Sequence, residues 1–305
     1  MNILAIESSC DDTSASVLTK DGILSNVIAS QAIHIKFGGV VPELASRAHQ
    51  TTISQTVEQA LSEADITISD INAIAVTQGP GLMGSLLVGV CFAKGLALAH
   101  NIPLIGVNHM YAHIYANFID SAPKFPFICL TVSGGHTQLV HVKAPFEHEI
   151  LGETRDDAAG EAFDKIGKIW GLEYPAGPMV DKLSKDGNPK FHKFPQALLN
   201  KGLDFSFSGL KTSALYFTQD KNEDWIQEHL NDLCASISEA ITEVLIKKLK
   251  RAVQQTGVKT IALAGGVSAN SMLRNKAQKL ATQQGLDLHI PHITYCTDNA
   301  RSEER

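Results

Sequence analysis

A chain of 305 residues, 44% hydrophobic and with a formal net charge of −6, is long enough for one large domain or two ordinary ones. The mild acidity excludes a generic nucleic-acid coat, though not a local basic patch, and no apolar run of 18 residues is evident that would cross a membrane. The opening MNILAIESSCDD has no basic region and does not read as a signal peptide, while Cys10, Cys91, Cys129, Cys234 and Cys296 are scattered without a C-x-x-C spacing, which favours reduced thiols in a cytosolic protein.

The run NILAIESSCDDTSASVLTKDG predicts a strand, a polar loop, a second strand and a turn. Apolar Ile3 to Ile6 lead into Ser8, Ser9, Cys10, Asp11 and Asp12, and alternation resumes through Ala15 and Val17. Asp11 and Asp12 read either as a charged loop or as a polar gate facing a phosphate, which two acids would repel unless a metal or proton intervened. INAIAVTQGPGLMGSLLVGVCFAKGLALA predicts a buried strand, a Gly/Pro loop and a helix rich in small residues. In PLIGVNHMYAHIYANF a short strand precedes Met110, Ile114 and Phe118 at helical spacing, so His109 and His113 fall one turn apart on one face.

A divalent metal suits that pair, and the H-E-x-x-H motif of zinc proteases uses it. Here Met110 stands where the glutamate would be, so the usual general base is missing. A bare H-x-x-x-H is more often coincidence or a satisfied surface pair, and a third ligand must come from elsewhere. Asp298 in CTDNA is a candidate, because it follows a strand-like run from His289 to Tyr295 and opens an expected helix. Two histidines and a carboxylate suit Fe(II) or Zn.

FICLTVSGGHTQLVHVKAP repeats the opening plan. Its turn, Thr131, Val132, Ser133, Gly134, Gly135 and on to Thr137, reads as a hairpin turn or as a phosphate or carbonyl cradle, since turn N–H groups form anion-binding concavities. DDAAGEAFDKIGKIWG sets Asp156, Asp157, Glu161 and Asp164 among packed alanines. Such a helix is usually a solvated face, yet Asp164 and the following PAGPMVDKL have the chemistry to hold a ligand's hydroxyl or ammonium-like groups. The basic run KKLKR at 247–251 reads as an exposed helix face. KTIALAGGVSANSMLRNKAQKLA predicts a strand, a double glycine and an amphipathic helix, with Ser268 or Asn270 near its start. Asn270 is either an N-cap or a contact to a ribose or base.

Each half therefore carries a strand-loop-strand hairpin and, later, a strand-Gly-helix unit. The hairpins are offset by 125 positions (Ile3 to Ile128) and the later units by 187 (Ile74 to Ile261). The 62 extra positions are placed at about 150–215. The expected fold is α/β, a duplicated actin-like ATPase fold as in actin, sugar kinases and heat-shock chaperones. Two lobes, 1–120 and 121–305, would flank a central nucleotide cleft.

ESSCDDTSAS, GGVVPELASRAH, GPGLMGSLLVG, NHMYAH, TVSGGHTQLV, DDAAGEAFDK, YPAGPMVDKLS, DFSFSGLKT, AGGVSAN and CTDNA occur in one order from residue 1 to about 300. In these motifs the chain resembles the tRNA N6-adenosine threonylcarbamoyltransferase family (TsaD in bacteria), once labelled O-sialoglycoprotein endopeptidases. The resemblance implies transfer of threonylcarbamoyl from threonylcarbamoyl-adenylate to N6 of adenosine 37, beside the anticodon, with release of AMP. It implies one divalent metal, Fe(II) or Zn(II), on His109, His113 and Asp298, and an adenylate on Thr131, Val132, Ser133, Gly134, Gly135, Asp164, Gly177, Asp181 and Asn270. The implied partners are the tRNA anticodon loop, a paralogous subunit of the same fold (TsaB) and a small P-loop ATPase (TsaE), without a membrane. The resemblance names no base for the N6 proton, and Asp11 is the candidate.

One departure stands out. In the family CTDNA continues into an apolar helix, whereas here it is followed by RSEER, so Asp298 is expected to be loosely held. Three other readings compete: a metal-dependent glycoprotein endopeptidase, a small-molecule kinase, and a non-catalytic nucleotide-binding scaffold.

Overall fold

The computed structural model describes residues 1–119, 121–296, 298 and 300. The chain divides into two compact units. One is Met1–Ile119 together with Asp298 and Ala300, and the other lies within Asp120–Cys296.

In the first unit, β1 (Asn2–Glu7), β2 (Asp12–Thr19) and β3 (Gly22–Ser30) form an antiparallel meander. Helix α1 (Pro42–Glu63), strand β4 (Ala73–Gly79), helix α2 (Met83–His100), strand β5 (Leu104–Asn108) and the short helix α3 (His109–Tyr115) follow. The sheet order is β3-β2-β1-β4-β5, with β4 parallel to both β1 and β5. Successive side chains of a strand point to opposite faces, and β1 shows what each face is for. Leu4 and Ile6 join Val17, Ile53, Val57, Ile74 and Val76 in the main core. Ala5, between them, packs instead with Ala75 and Ala300.

The second unit repeats this plan. Strands β6 (Phe127–Val132), β7 (Thr137–Ala144) and β8 (Glu147–Glu153) form the meander. After helices α4 (Ala159–Ile169), α5 (Gly177–Ser184), α6 (Ser208–Thr218) and α7 (Glu223–Glu228) come α8 (Leu230–Thr256), β9 (Thr260–Ala264), α9 (Ser271–Gln284) and β10 (Asp287–His289). Counted from the meander edge, its sheet runs β8-β7-β6-β9-β10, the order of the first sheet. Helices α4 to α7 have no counterpart between β3 and α1. Helix α8 is the spine of the core, burying Leu233, Ile237, Ile241, Leu245 and Leu249 at helical spacing against β6, α5 and α9.

Four details depart from the sequence reading. Residues 298 and 300 pack with the first unit and not with the lobe expected from 121 onward, because Ala300 is buried against Ala5 and Ala75. The run expected as a strand from His289 to Tyr295 stops pairing at His289 and ends in a 3-10 turn, Ile293–Tyr295. Pro291 lies between and has no N–H to give a ladder. Helix α2 is after all long and apolar enough to cross a membrane by length and composition. It packs on α1 and β4, and Ser85 Oγ donates to Cys10 O at 3.0 Å. Finally, KKLKR is not simply an exposed face. Lys248 is fully buried, and its Nζ donates to the carbonyls of Leu198, Lys201 and Gly202. Burial pushes its pKa down to about 8. The five thiols are all free.

Candidate metal centre and glycine loops

Strand β5 delivers the chain to Asn108, whose side-chain oxygen accepts from Met110 N at 3.0 Å and Tyr111 N at 3.2 Å. This N-cap satisfies two orphan donors of the first turn and starts α3 at His109, so both histidines fall on its inward face. His109 and His113 are buried, their ring centroids 4.5 Å apart in an edge arrangement. Asp298 Oδ1 lies 3.3 Å from His113 Nε2 and 3.7 Å from His109 Nε2.

These three residues fit a divalent cation. One ligand atom from each lies within 4.8 Å of the others. Ligands held at about 2.0–2.2 Å by a tetrahedral metal stand roughly 3.3–3.6 Å apart. His113 Nε2 is buried and makes no hydrogen bond, a costly state for a polar atom unless something binds it. Asp298 is half-buried. Ala300, two residues on, is sealed between β1 and β4. On the preceding segment, Arg274 donates to Pro291 O at 2.9 Å and to Cys296 Sγ at 3.1 Å.

One participant escaped the sequence reading. Glu7, at the end of β1, is 1% exposed. One carboxylate oxygen accepts from Ser9 N, and the other accepts from Thr77 Oγ1 and lies 3.2 Å from His109 Nδ1. Burial opposes its ionisation, but the contact with His109, helped by the hydrogen bond from Ser9, holds its pKa below the usual carboxylate range. Glu7 does not replace the missing protease glutamate. It holds Nδ1 of His109, whereas Nε2 faces Asp298. Asp11 lies half-buried in the β1–β2 turn and is not one of the three clustered residues. Its neighbour Asp12 is pushed up to about 6, by burial first and then by the charges of Asp11, Asp298 and Glu7. Burial and then Asp11 push the Cys10 thiol far above its ordinary range.

In the second unit the β6–β7 turn is closed by Ser133 N donating to His136 O at 2.8 Å and by His136 N donating to Ser133 Oγ at 3.1 Å. Gly134 and Gly135 form its exposed tip. The first turn of α4 sits directly against this loop. Gly160 N donates to Ser133 O at 3.2 Å, and a Cβ on Gly160 would stand 2.5 Å from that oxygen. Gly160 is thus a second residue the sequence reading passed over.

The other residues implied by the resemblance form a linked chain of helix starts. Asp164 accepts from Ala176 N at 2.8 Å and Gly177 N at 3.2 Å, fixing the start of α5. Asp181 on α5 accepts from Ser271 N and Ser271 Oγ, both at 2.8 Å, fixing the start of α9. Asn270 is the N-cap of α9, its side-chain oxygen accepting from Leu273 N at 2.9 Å. The cap therefore uses the oxygen of Asn270. Asp156 accepts four hydrogen bonds from Ser206, Phe207 and Ser208. Against the opposing effect of burial, these bonds hold its pKa low. They tie DDAAGEAFDK to DFSFSG in the fold.

A family model, tRNA N6-adenosine threonylcarbamoyltransferase (TsaD), matches residues 22–304. The protein of that name from Cytophaga hutchinsonii is 55% identical over 304 residues, covering 98% of this chain and 88% of the relative. That from Riemerella anatipestifer is 56% identical over 305 residues, covering 98% and 89%. Solved structures resemble it at lower identity. Full-length HypF in its phosphate- and nucleotide-bound form superposes with a TM-score of 0.63 at 13% identity, over 99% of this chain and 45% of that one. The (R)-2-hydroxyglutaryl-CoA dehydratase component A of Acidaminococcus fermentans gives 0.59 at 13%, over 99% and 96%. At such identities the likeness speaks for the fold alone, which is the actin-like ATPase fold with its two matching sheets. The family match and the relatives' identity go further, because the match over 22–304 includes α3, the second hairpin and the helix starts, and the relatives cover 98% of the chain. The chain belongs to the tRNA N6-adenosine threonylcarbamoyltransferases, enzymes that modify tRNA by acyl transfer.

Proposed function

We propose that this chain forms N6-threonylcarbamoyladenosine at position 37 of tRNAs reading codons that begin with A, with threonylcarbamoyl-adenylate as donor. The reading is carried by the convergence of His109, His113 and Asp298, with the buried His113 Nε2 turned toward Asp298 at 3.3 Å, in a chain of this family. The N6 amine of adenine is a weak nucleophile, because its lone pair is delocalised into the ring. It attacks the carbamoyl carbon of the mixed anhydride. The bond from that carbon to the phosphate oxygen breaks, AMP leaves, and the N6 proton passes to an acceptor, for which Asp11 is the candidate. An anticodon-loop base is already unpaired and can be splayed out for such chemistry.

Residues Thr131 to Gly135 form the loop that receives the adenylate phosphate, where Gly134 and Gly135 at the tip offer their backbone N–H groups and leave the approach clear. Asp164, Gly177, Asp181 and Asn270 bind the rest of the adenylate. His109, His113 and Asp298 hold one divalent cation, Fe(II) in preference to Zn(II). When bound, such a cation orients a donor group and polarises a carbonyl oxygen. No water has to be activated, which is why Met110 can stand where a protease has glutamate.

The family likeness supports a cytoplasmic enzyme that works with a paralogous subunit of the same fold (TsaB) and a small P-loop ATPase (TsaE). Met83, Leu87 and Leu98 of α2 are exposed, apolar surface suited to such a subunit. The decisive test is mass spectrometry of tRNA nucleosides from cells depleted of this chain and then restored. The modified nucleoside should vanish and return with the unaltered chain, and should stay absent with His113→Ala. Unchanged levels on depletion would refute the reading.

A further inference from the structure

A carboxylate as buried as Glu7 needs a reason, and its partners supply one. Its Oε1 faces the N–H of Ser9, which can only donate. Its Oε2 takes the hydroxyl of Thr77 from β4, a residue itself fully buried. Those two contacts, one from the β1–β2 turn and one from the neighbouring strand, lock the side chain. The remaining capacity of Oε2 is aimed at His109 Nδ1, 3.2 Å away, with Ser9 Oγ at 3.4 Å on the same nitrogen. Both oxygens of Glu7 already act as acceptors, from Ser9 N–H and Thr77 Oγ1, and facing Nδ1 in the same role Oε2 requires that nitrogen to carry the hydrogen. The other ring nitrogen of a neutral imidazole then bears the lone pair, and that nitrogen, Nε2, is the one turned toward Asp298 beside His113.

We propose that Glu7 is the positioning residue of the metal centre, holding His109 in the Nδ1–H form so that Nε2 offers its lone pair to a divalent cation shared with His113 and Asp298. The inference rests on the metal reading above and extends it. A carboxylate behind a metal-binding histidine fixes both the ring and its tautomer, and removing such a partner typically lowers metal affinity 10- to 100-fold.

Glutamine has the shape of glutamate but cannot do the same work. Its NH2 must face either Ser9 N–H, setting donor against donor, or His109 Nδ1, which moves the ring hydrogen to Nε2 and blocks the cation. The test titrates Co(II) into the metal-stripped 305-residue chain and follows its visible absorption, with thermal melting of each metal-free variant as a control. The original chain should take one equivalent, and His113→Ala should abolish binding. Glu7→Gln should weaken binding at least tenfold and shift the bands while the metal-free chain melts within a few degrees of the original. Long-range proton–nitrogen spectra of the metal-free original chain at pH 8.5 should show His109 protonated on Nδ1. Co(II) bound through His113 but held equally well by Glu7→Gln, or His109 found protonated on Nε2, would overturn this inference alone. A chain that takes no Co(II) would overturn the metal reading and this inference together. If Glu7→Gln does not fold, the spectrum of the original chain decides.

Discussion

Gly134 and Gly160 meet at one loop, yet side chains at the two positions should do different harm. A Cβ at Gly134 meets nothing within 4 Å, so Gly134→Val should fold normally while placing a branched side chain over the N–H groups proposed to face the phosphate. Adenylate affinity should fall more than tenfold, roughly 1.4 kcal/mol or more, with an unchanged melting midpoint. Unaltered affinity by calorimetry would remove this loop from the site. At Gly160 a Cβ would stand 2.5 Å from Ser133 O and 2.8 Å from Gly134 Cα, both backbone atoms. Gly160→Ala should therefore cost about 1–3 kcal/mol of stability, visible as a lowered urea midpoint. TVSGGHT announced its glycines in the sequence by repeating the opening hairpin. Gly160 sat inside an ordinary helical pattern, and only the loop it touches reveals why it is glycine. Glu7 was hidden for a related reason. A glutamate closing a strand has no periodicity to betray it, and its histidine lies 102 positions along the chain.

Among the elements, the hairpins and strand-Gly-helix units were legible because alternation and small-residue punctuation are local signals. So was α3, from the spacing of Met110, Ile114 and Phe118. In helix α8 the basic run was legible as helix, but its burial was not. A lysine in an amphipathic helix reads as solvent-facing, and the irregular segment that buries Lys248 is nearly 50 residues upstream. That contact is a clamp, with three carbonyls of an irregular segment meeting one ammonium group, and Arg251 donates to one of them, Gly202 O, at 2.6 Å. Hydrogen bonds to a charged group contribute about 1.5–3 kcal/mol each, and a buried carbonyl left unpaired costs about 1–3 kcal/mol. Lys248→Met, similar in length, should therefore lower stability by roughly 3 kcal/mol and open residues 198–202 to limited proteolysis. Because Arg251 keeps Gly202 O, a Lys248→Met, Arg251→Ala pair should lose more than the two single changes together. Strict additivity would show that the clamp is not shared.

At the scale of the whole molecule, the sequence foretold the duplication through its two offsets, and the matching sheet orders follow that plan. What it could not foretell was the home of Asp298 and Ala300, since chain order gives no hint that a segment leaves one unit and packs with the other. The old endopeptidase reading also belongs at this scale, because it treats the histidine pair apart from the rest of the chain. With Met110 after His109, and Glu7 occupied behind the ring, the purified, metal-loaded chain should cleave no peptide or glycoprotein above a His113→Ala control. A cleavage product that depends on both metal and His113 would revive that reading. The position of Asp298 has a further consequence, for biosynthesis. The two histidines leave the ribosome about 185 residues before the aspartate that completes their cluster, and at 5–20 residues per second that gap lasts roughly 10–40 s. Throughout it the nascent chain carries only two of the three side chains of the proposed metal site. The cluster is complete only when the segment of Ala300 has packed beside Ala5, which joins it to the opening strand of the same unit.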